Sequence, residues 1–115
     1  MAEFEPRLTT DIWVSALIRR AEGAGAFAAV LHKGDPTGGA VLVKVVDRRA
    51  GETRLYALAI RGGGERVWMR PTPSLEEREV DDYAARQRRY DPDLWVVEIE
   101  DAWGRHHLTE PVEEG

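Results

Sequence analysis

The segments AVLVKVV (residues 40–46) and TRLYALAI (53–60) constrain this chain more than any other feature. Both are rich in β-branched and aliphatic residues and shorter than an ordinary helix, so both predict strands. A strand turns successive side chains to opposite faces. Val41, Val43 and Val45 therefore point one way and Ala40, Leu42 and Val46 the other, with Lys44 the polar exception. In the second run Leu55, Ala57 and Ala59 oppose Tyr56, Leu58 and Ile60. Strands that are apolar on both sides need cover on both sides. The link DRRAGE between them contains Ala50-Gly51 and predicts a tight hairpin.

The other elements arrange themselves around that pair. Thr9, Thr10 and Asp11 predict the start of a helix over residues 12–22, stopped by Gly23 and Gly25. Ile12, Trp13, Ala16 and Leu17 share one face, which Val14, Ile18 and Ala21 widen until the helix is apolar nearly all round. AFAAVLH (26–32) reads as a strand, and RVWMR (66–70) as a short one ended by Pro71 and Pro73. Ser74-x-x-Glu77 has the spacing of a capping box. It opens a second helix, acidic in its first half and basic in RQRR, with Val80, Tyr83, Ala84 and Gln87 on its packing face. YDPD breaks that helix, LWVVEIE (94–100) is a fifth strand, and RHHL (105–108) returns as a short sixth. Short links predict antiparallel neighbours. The expected class is α+β: a mostly antiparallel β-meander of five to six strands with two helices, in the order α-β-β-β-β-α-β-β. At 115 residues a single domain is expected over 1–115, with an ordered core over 9–108 and polar tails at both ends.

Composition excludes several chemistries. The chain has no cysteine, so disulfides, thiolate metal sites and cysteine nucleophiles are excluded, and a cytoplasmic setting is expected. Its start, MAEFEPRLTT, lacks the basic and apolar regions of a secretory signal. No uncharged apolar stretch, IWVSALI included, approaches the ~20 residues that a membrane helix needs, so no membrane partner is expected. A net charge of −5 opposes dedicated nucleic-acid binding, for which Arg48, Arg49 and Arg54 at one hairpin tip are the available cations.

HKGDPTGGAVLV (32–43) poses the question of a phosphate-cradling loop. A P-loop needs G-x-x-x-x-G-K-[ST] followed by a helix. Here the lysine and hydroxyl are missing, and a strand follows. The loop predicts a link between two neighbouring antiparallel strands, its glycines supplying backbone freedom. The alternative is a nest of amides holding an anion at Gly34, Asp35, Gly38 and Gly39, as in a small-ligand protein or small enzyme, with His32 or His106 as further anchors.

No catalytic residue, metal ligand set or cofactor is expected. His106 and His107 would face opposite ways on a strand and so could not chelate together. Glu98 and Glu100 share a strand face about 7 Å apart, which suits solvated residues better than a catalytic pair. Ser15 lies within a helix and Ser74 serves as a cap, so neither occupies a nucleophile elbow.

RVWMR alternates so that Arg66, Trp68 and Arg70 share a face. A tryptophan flanked by guanidiniums suits protein recognition. The alternative puts Trp68 beneath a helix with the arginine stems around it. The expected function is a non-enzymatic protein-interaction module, self-associating or an adaptor. Its contacts would be Trp68, Arg66 and Arg70, then Trp13 and Ile12, and its partner a protein or a second copy.

The stretches TDIWVSALIRRAEGAGAFAAVLHKGDPTGGAVLVKV (10–45) and RQRRYDPDLWVVEIEDAWGRHHL (86–108) resemble a small alphaproteobacterial family of about this length. That family is known only as a domain of unknown function. The resemblance implies a stand-alone single-domain bacterial protein and brings no activity, ligand or catalytic residue with it.

Overall fold

The computed structural model describes residues 8–113. The tails expected at 1–7 and 114–115 lie outside the described residues. The elements are α1 (Thr10–Gly23), β1 (Phe27–His32), β2 (Val41–Asp47), β3 (Glu52–Ile60), β4 (Arg66–Met69), α2 (Glu77–Tyr90), β5 (Trp95–Glu100) and β6 (Val112–Glu113). The class is α+β, with two helices and one six-stranded sheet among the described residues.

The sheet is mixed, which corrects the expected antiparallel meander. Its order is β1-β5-β2-β3-β4-β6. β2–β3, β3–β4 and β1–β5 run antiparallel, but β5 is parallel to β2 and β6 to β4. The reason lies in β5 itself. Val97 and Ile99 face one side, Val96 faces the other, and all three are buried. Such a strand belongs in the middle of a sheet. The chain reaches that position from β4 through α2, and a crossover through a helix permits parallel entry. β1 and β2 are thereby separated, so the glycine-rich link joins strands that are not neighbours.

The helices cover opposite faces. Val14, Leu17 and Ala21 of α1 pack with Val43, Val45, Tyr56, Trp68, Val97 and Ile99. Val80 and Ala84 of α2 pack with Leu42, Leu55 and Val96. Alternate residues of β2 thus serve alternate cores, as its two-sided pattern requires. The greasy middle of the sheet is shielded within one chain: Val43 and Leu55 are fully buried. α1 lies chiefly over β1 and β5, and α2 chiefly over β3 and β2.

Other local expectations are corrected. α2 begins at Glu77 with no side-chain cap. The Ser74 hydroxyl instead donates to the Glu79 carboxylate and accepts from the Glu76 amide at 3.1 Å, so no capping box forms. Residues 105–108 form no strand, and His107 adopts a left-handed φ of 61°. The last strand lies later, at Val112–Glu113, in a segment expected as tail, where an Arg61–Glu113 ion pair fastens it. Among the described residues no helix is long and apolar enough to cross a membrane.

Candidate functional site

The glycine-rich link crosses the start of β5. The Asp35 amide donates to the Asp93 carbonyl at 3.0 Å, and the Trp95 indole donates to the Asp35 carbonyl at 2.7 Å. A Cβ at Gly34 would lie 2.0 Å from the Asp93 oxygen, and one at Gly39 would lie 2.3 Å from it. These two glycines are needed for close backbone approach. The Gly38 amide donates to the Asp35 carboxylate at 2.8 Å and the Gly39 amide to the Asp35 carbonyl at 3.2 Å. Carbonyls of the same link receive the first helix: Thr10 N–H donates to Thr37 and Asp11 N–H to Pro36. Three of the amides that an anion would need thus already serve the fold.

Trp68, expected on an interaction surface, is 1% exposed. The other reading of RVWMR describes it: Trp68 lies under α1, stacked on Trp13 with ring centroids 5.4 Å apart. Glu110 accepts from both indoles, 2.9 Å from Trp68 Nε1 and 3.2 Å from Trp13 Nε1. Burial raises the Glu110 pKa, but the hydrogen bonds from Trp68, its own backbone amide and Trp13 outweigh it and hold the carboxyl below its usual value. Arg66 is partly buried, and Arg70 donates to the Pro73 carbonyl. Of the five residues expected at an interface, Ile12 alone is fully at the surface, at 54% exposure.

Two clusters, each built around one buried charge, went unrecognised in the sequence. Lys44 is 4% exposed, yet its ammonium meets Glu77 and Asp81 at 2.8 Å and Glu98 at 3.1 Å. Burial lowers its pKa, but these three carboxylates raise it further, above the ordinary lysine value. Three carboxylates around it favour the charged ammonium, which has no lone pair for nucleophilic attack. The single lysine in an apolar strand was the signal; its acidic partners come from α2 and β5. The second cluster centres on Asp101, 1% exposed, which accepts from Arg105, the Trp103 and Arg105 amides and His107 Nε2 at 2.9 Å. Burial pushes the Asp101 carboxyl up, and these donors pull it well below the usual carboxylate range. His106 is set apart, its ring edge-on to Tyr56 and its Nδ1 accepting from the Leu108 amide. Among the described residues no group of three or more histidine or carboxylate side chains is placed to hold a metal ion.

The arginines of the hairpin tip are engaged. Arg48 pairs with Glu77 and Glu100, Arg54 pairs with Glu52, and Arg49 lies 4.5 Å over the exposed Trp103 ring.

What stays uncovered on β1 is its outer edge and the face turned away from α1. Among the described residues β1 forms one edge of the sheet and pairs only with β5. Phe27 is 77% exposed, Leu31 51% and Val30 40%, and Ala29 is exposed too. Register places Phe27 beside Glu100 and Ala29 beside Glu98, on the sheet face that α2 covers farther in, over β2 and β3. From Phe27 to His32 the strand carries no lysine, acidic residue or proline. Those are among the devices that stop an edge from pairing; a bulge, another of them, affects only the end of β1. A bulge between Val30 and His32 leaves Phe27–Val30 as the regular part. The sequence held the signal, an uncharged apolar strand. Its edge position followed only from the insertion of β5.

The chain matches a family model described as "Protein of unknown function (DUF1491)" over residues 8–109. A crystal structure of a DUF1491 family protein from Caulobacter crescentus CB15 is 64% identical and superposes with a TM-score of 0.92, covering 93% of this chain and 100% of that one. An NMR structure of a DUF1491 family protein from the same organism is also 64% identical, with a TM-score of 0.88 over 93% of this chain and 97% of that one. A solution structure of an A. tumefaciens protein is 36% identical, with a TM-score of 0.78, covering 96% and 100% of the two chains. No curated protein matches.

Proposed function

Because the chain belongs to the DUF1491 family, whose description names no activity, we propose its function from its own surface: a non-enzymatic protein-interaction module that docks through β1. One observation carries this reading: an open, uncharged strand edge flanked by exposed Phe27, Val30 and Leu31. An unpaired edge offers a row of amides and carbonyls that another extended chain satisfies, while apolar side chains beside it supply burial. The interaction reading therefore moves from Trp68, Arg66 and Arg70 to β1. The cysteine-free composition suits work in the cytoplasm.

Photo-crosslinking in the native host tests the proposal. A benzophenone amino acid at position 27 is expected to give a discrete protein adduct. The same probe at Tyr90, 84% exposed on α2, is expected to give none. No adduct at position 27, or equal adducts at both, contradicts docking through β1.

A further inference from the structure

We infer that the occupant of the β1 edge is a second copy of this chain, its β1 paired antiparallel to the first across a two-fold axis. This rests on the reading of β1 as a docking strand and adds the identity of what docks.

The first argument is chemical match. A partner strand must be extended, uncharged, and apolar on both of its faces, because Phe27 lies on one side of the sheet and Val30 on the other. β1 has that pattern itself, and a two-fold interface requires such a self-complementary patch. Charge is the second argument. The chain carries a net −5, so two copies need a contact free of facing carboxylates. Glu98 and Glu100 stand one strand inward, and each is already held by a cation, Lys44 or Arg48. Orientation follows from the ends of the strand. Exposed Lys33 follows β1, while exposed Glu22 and the carbonyl end of α1 precede it. An antiparallel pair sets Lys33 of each copy beside the Glu22 end of the other, where a cation is favoured. A parallel pair would bring like ends together. The association closes at two, because the two-fold pairing uses the β1 edge of both copies.

Four regular residues make a small contact, well under the ~800 Å² per partner of a standard interface, so the dimer is weak. Sedimentation equilibrium from about 5 µM to 1 mM tests this. The wild type is expected to show a reversible monomer–dimer equilibrium. Phe27→Lys combined with Leu31→Lys, both at exposed positions, is expected to weaken it at least tenfold with an unchanged melting temperature. A wild type that stays monomeric at the highest concentration overturns the second-copy occupant. An equally strong dimer in the variant overturns the β1 location. The crosslink at position 27 separates the two failures. An adduct to a different protein, with a monomeric wild type, overturns only self-pairing. No adduct of any kind overturns the docking reading with it.

Discussion

Trp13 and Trp68 stack with their ring centroids 5.4 Å apart, and one carboxylate, Glu110, accepts from both indoles. This joins α1, β4 and the C-terminal segment through groups that the chain brings together from far apart. Replacing Glu110 with Ala leaves the buried Trp68 N–H without its acceptor, at a cost of about 1–3 kcal/mol. Glu110→Gln keeps one acceptor and is expected to cost less. Urea unfolding checks both, and a wild-type midpoint for the alanine variant would contradict the role.

Gly34 and Gly39 separate a structural loop from an anion loop. Gly34→Ala and Gly39→Ala drive a Cβ into the Asp93 carbonyl and are expected to destabilise strongly, by about 2 kcal/mol or more. Gly38→Ala meets nothing within 4 Å and is expected to stay within about 0.5 kcal/mol of wild type. Thermal melts of the three variants decide; equal melting temperatures would contradict the crossing over β5.

Lys44 is a buried ammonium held by three partly exposed carboxylates. Lys44→Met removes the ammonium from between Glu77, Asp81 and Glu98, which are partly open to solvent, and is expected to destabilise by about 1 kcal/mol. Chemical denaturation measures it. A neutral Lys44→Met would mean that the carboxylates are independently solvated.

Asp101 makes stability depend on pH. Its carboxyl titrates lower when folded than when unfolded. The stability it adds is therefore fully present above the unfolded value of about 4 and is lost as pH falls toward its folded value. The wild type is expected to lose stability from about pH 5 downward, more steeply than Asp101→Asn. Identical slopes from pH 5 to pH 2 would remove Asp101 from the account.

Much of this fold can be read locally. The strand at 53–60 is found at Glu52–Ile60, and that at 94–100 at Trp95–Glu100, because apolar runs and breakers are local signals. Strand order is not local. β5 displaces β1 from β2 because burial on both faces outweighs short-range pairing, and nothing in HKGDPTGG states that it spans a third strand. Trp68 was legible as a special residue but not as a buried one, since its cover, Trp13, and its acceptor, Glu110, lie 55 and 42 positions away. The same displacement made β1 an edge, which explains why the candidate docking strand was the least conspicuous of the apolar segments.

Hydrogen exchange at β1 tests the central claim most directly. The amides of Phe27–Val30 that do not pair with β5 point outward in a single chain. Their protection is expected to rise as protein concentration passes through the dimer Kd, while the interior amides of β2 stay constant. Fast exchange of those β1 amides at every concentration, alone and with the partner captured at position 27, would contradict a docking edge.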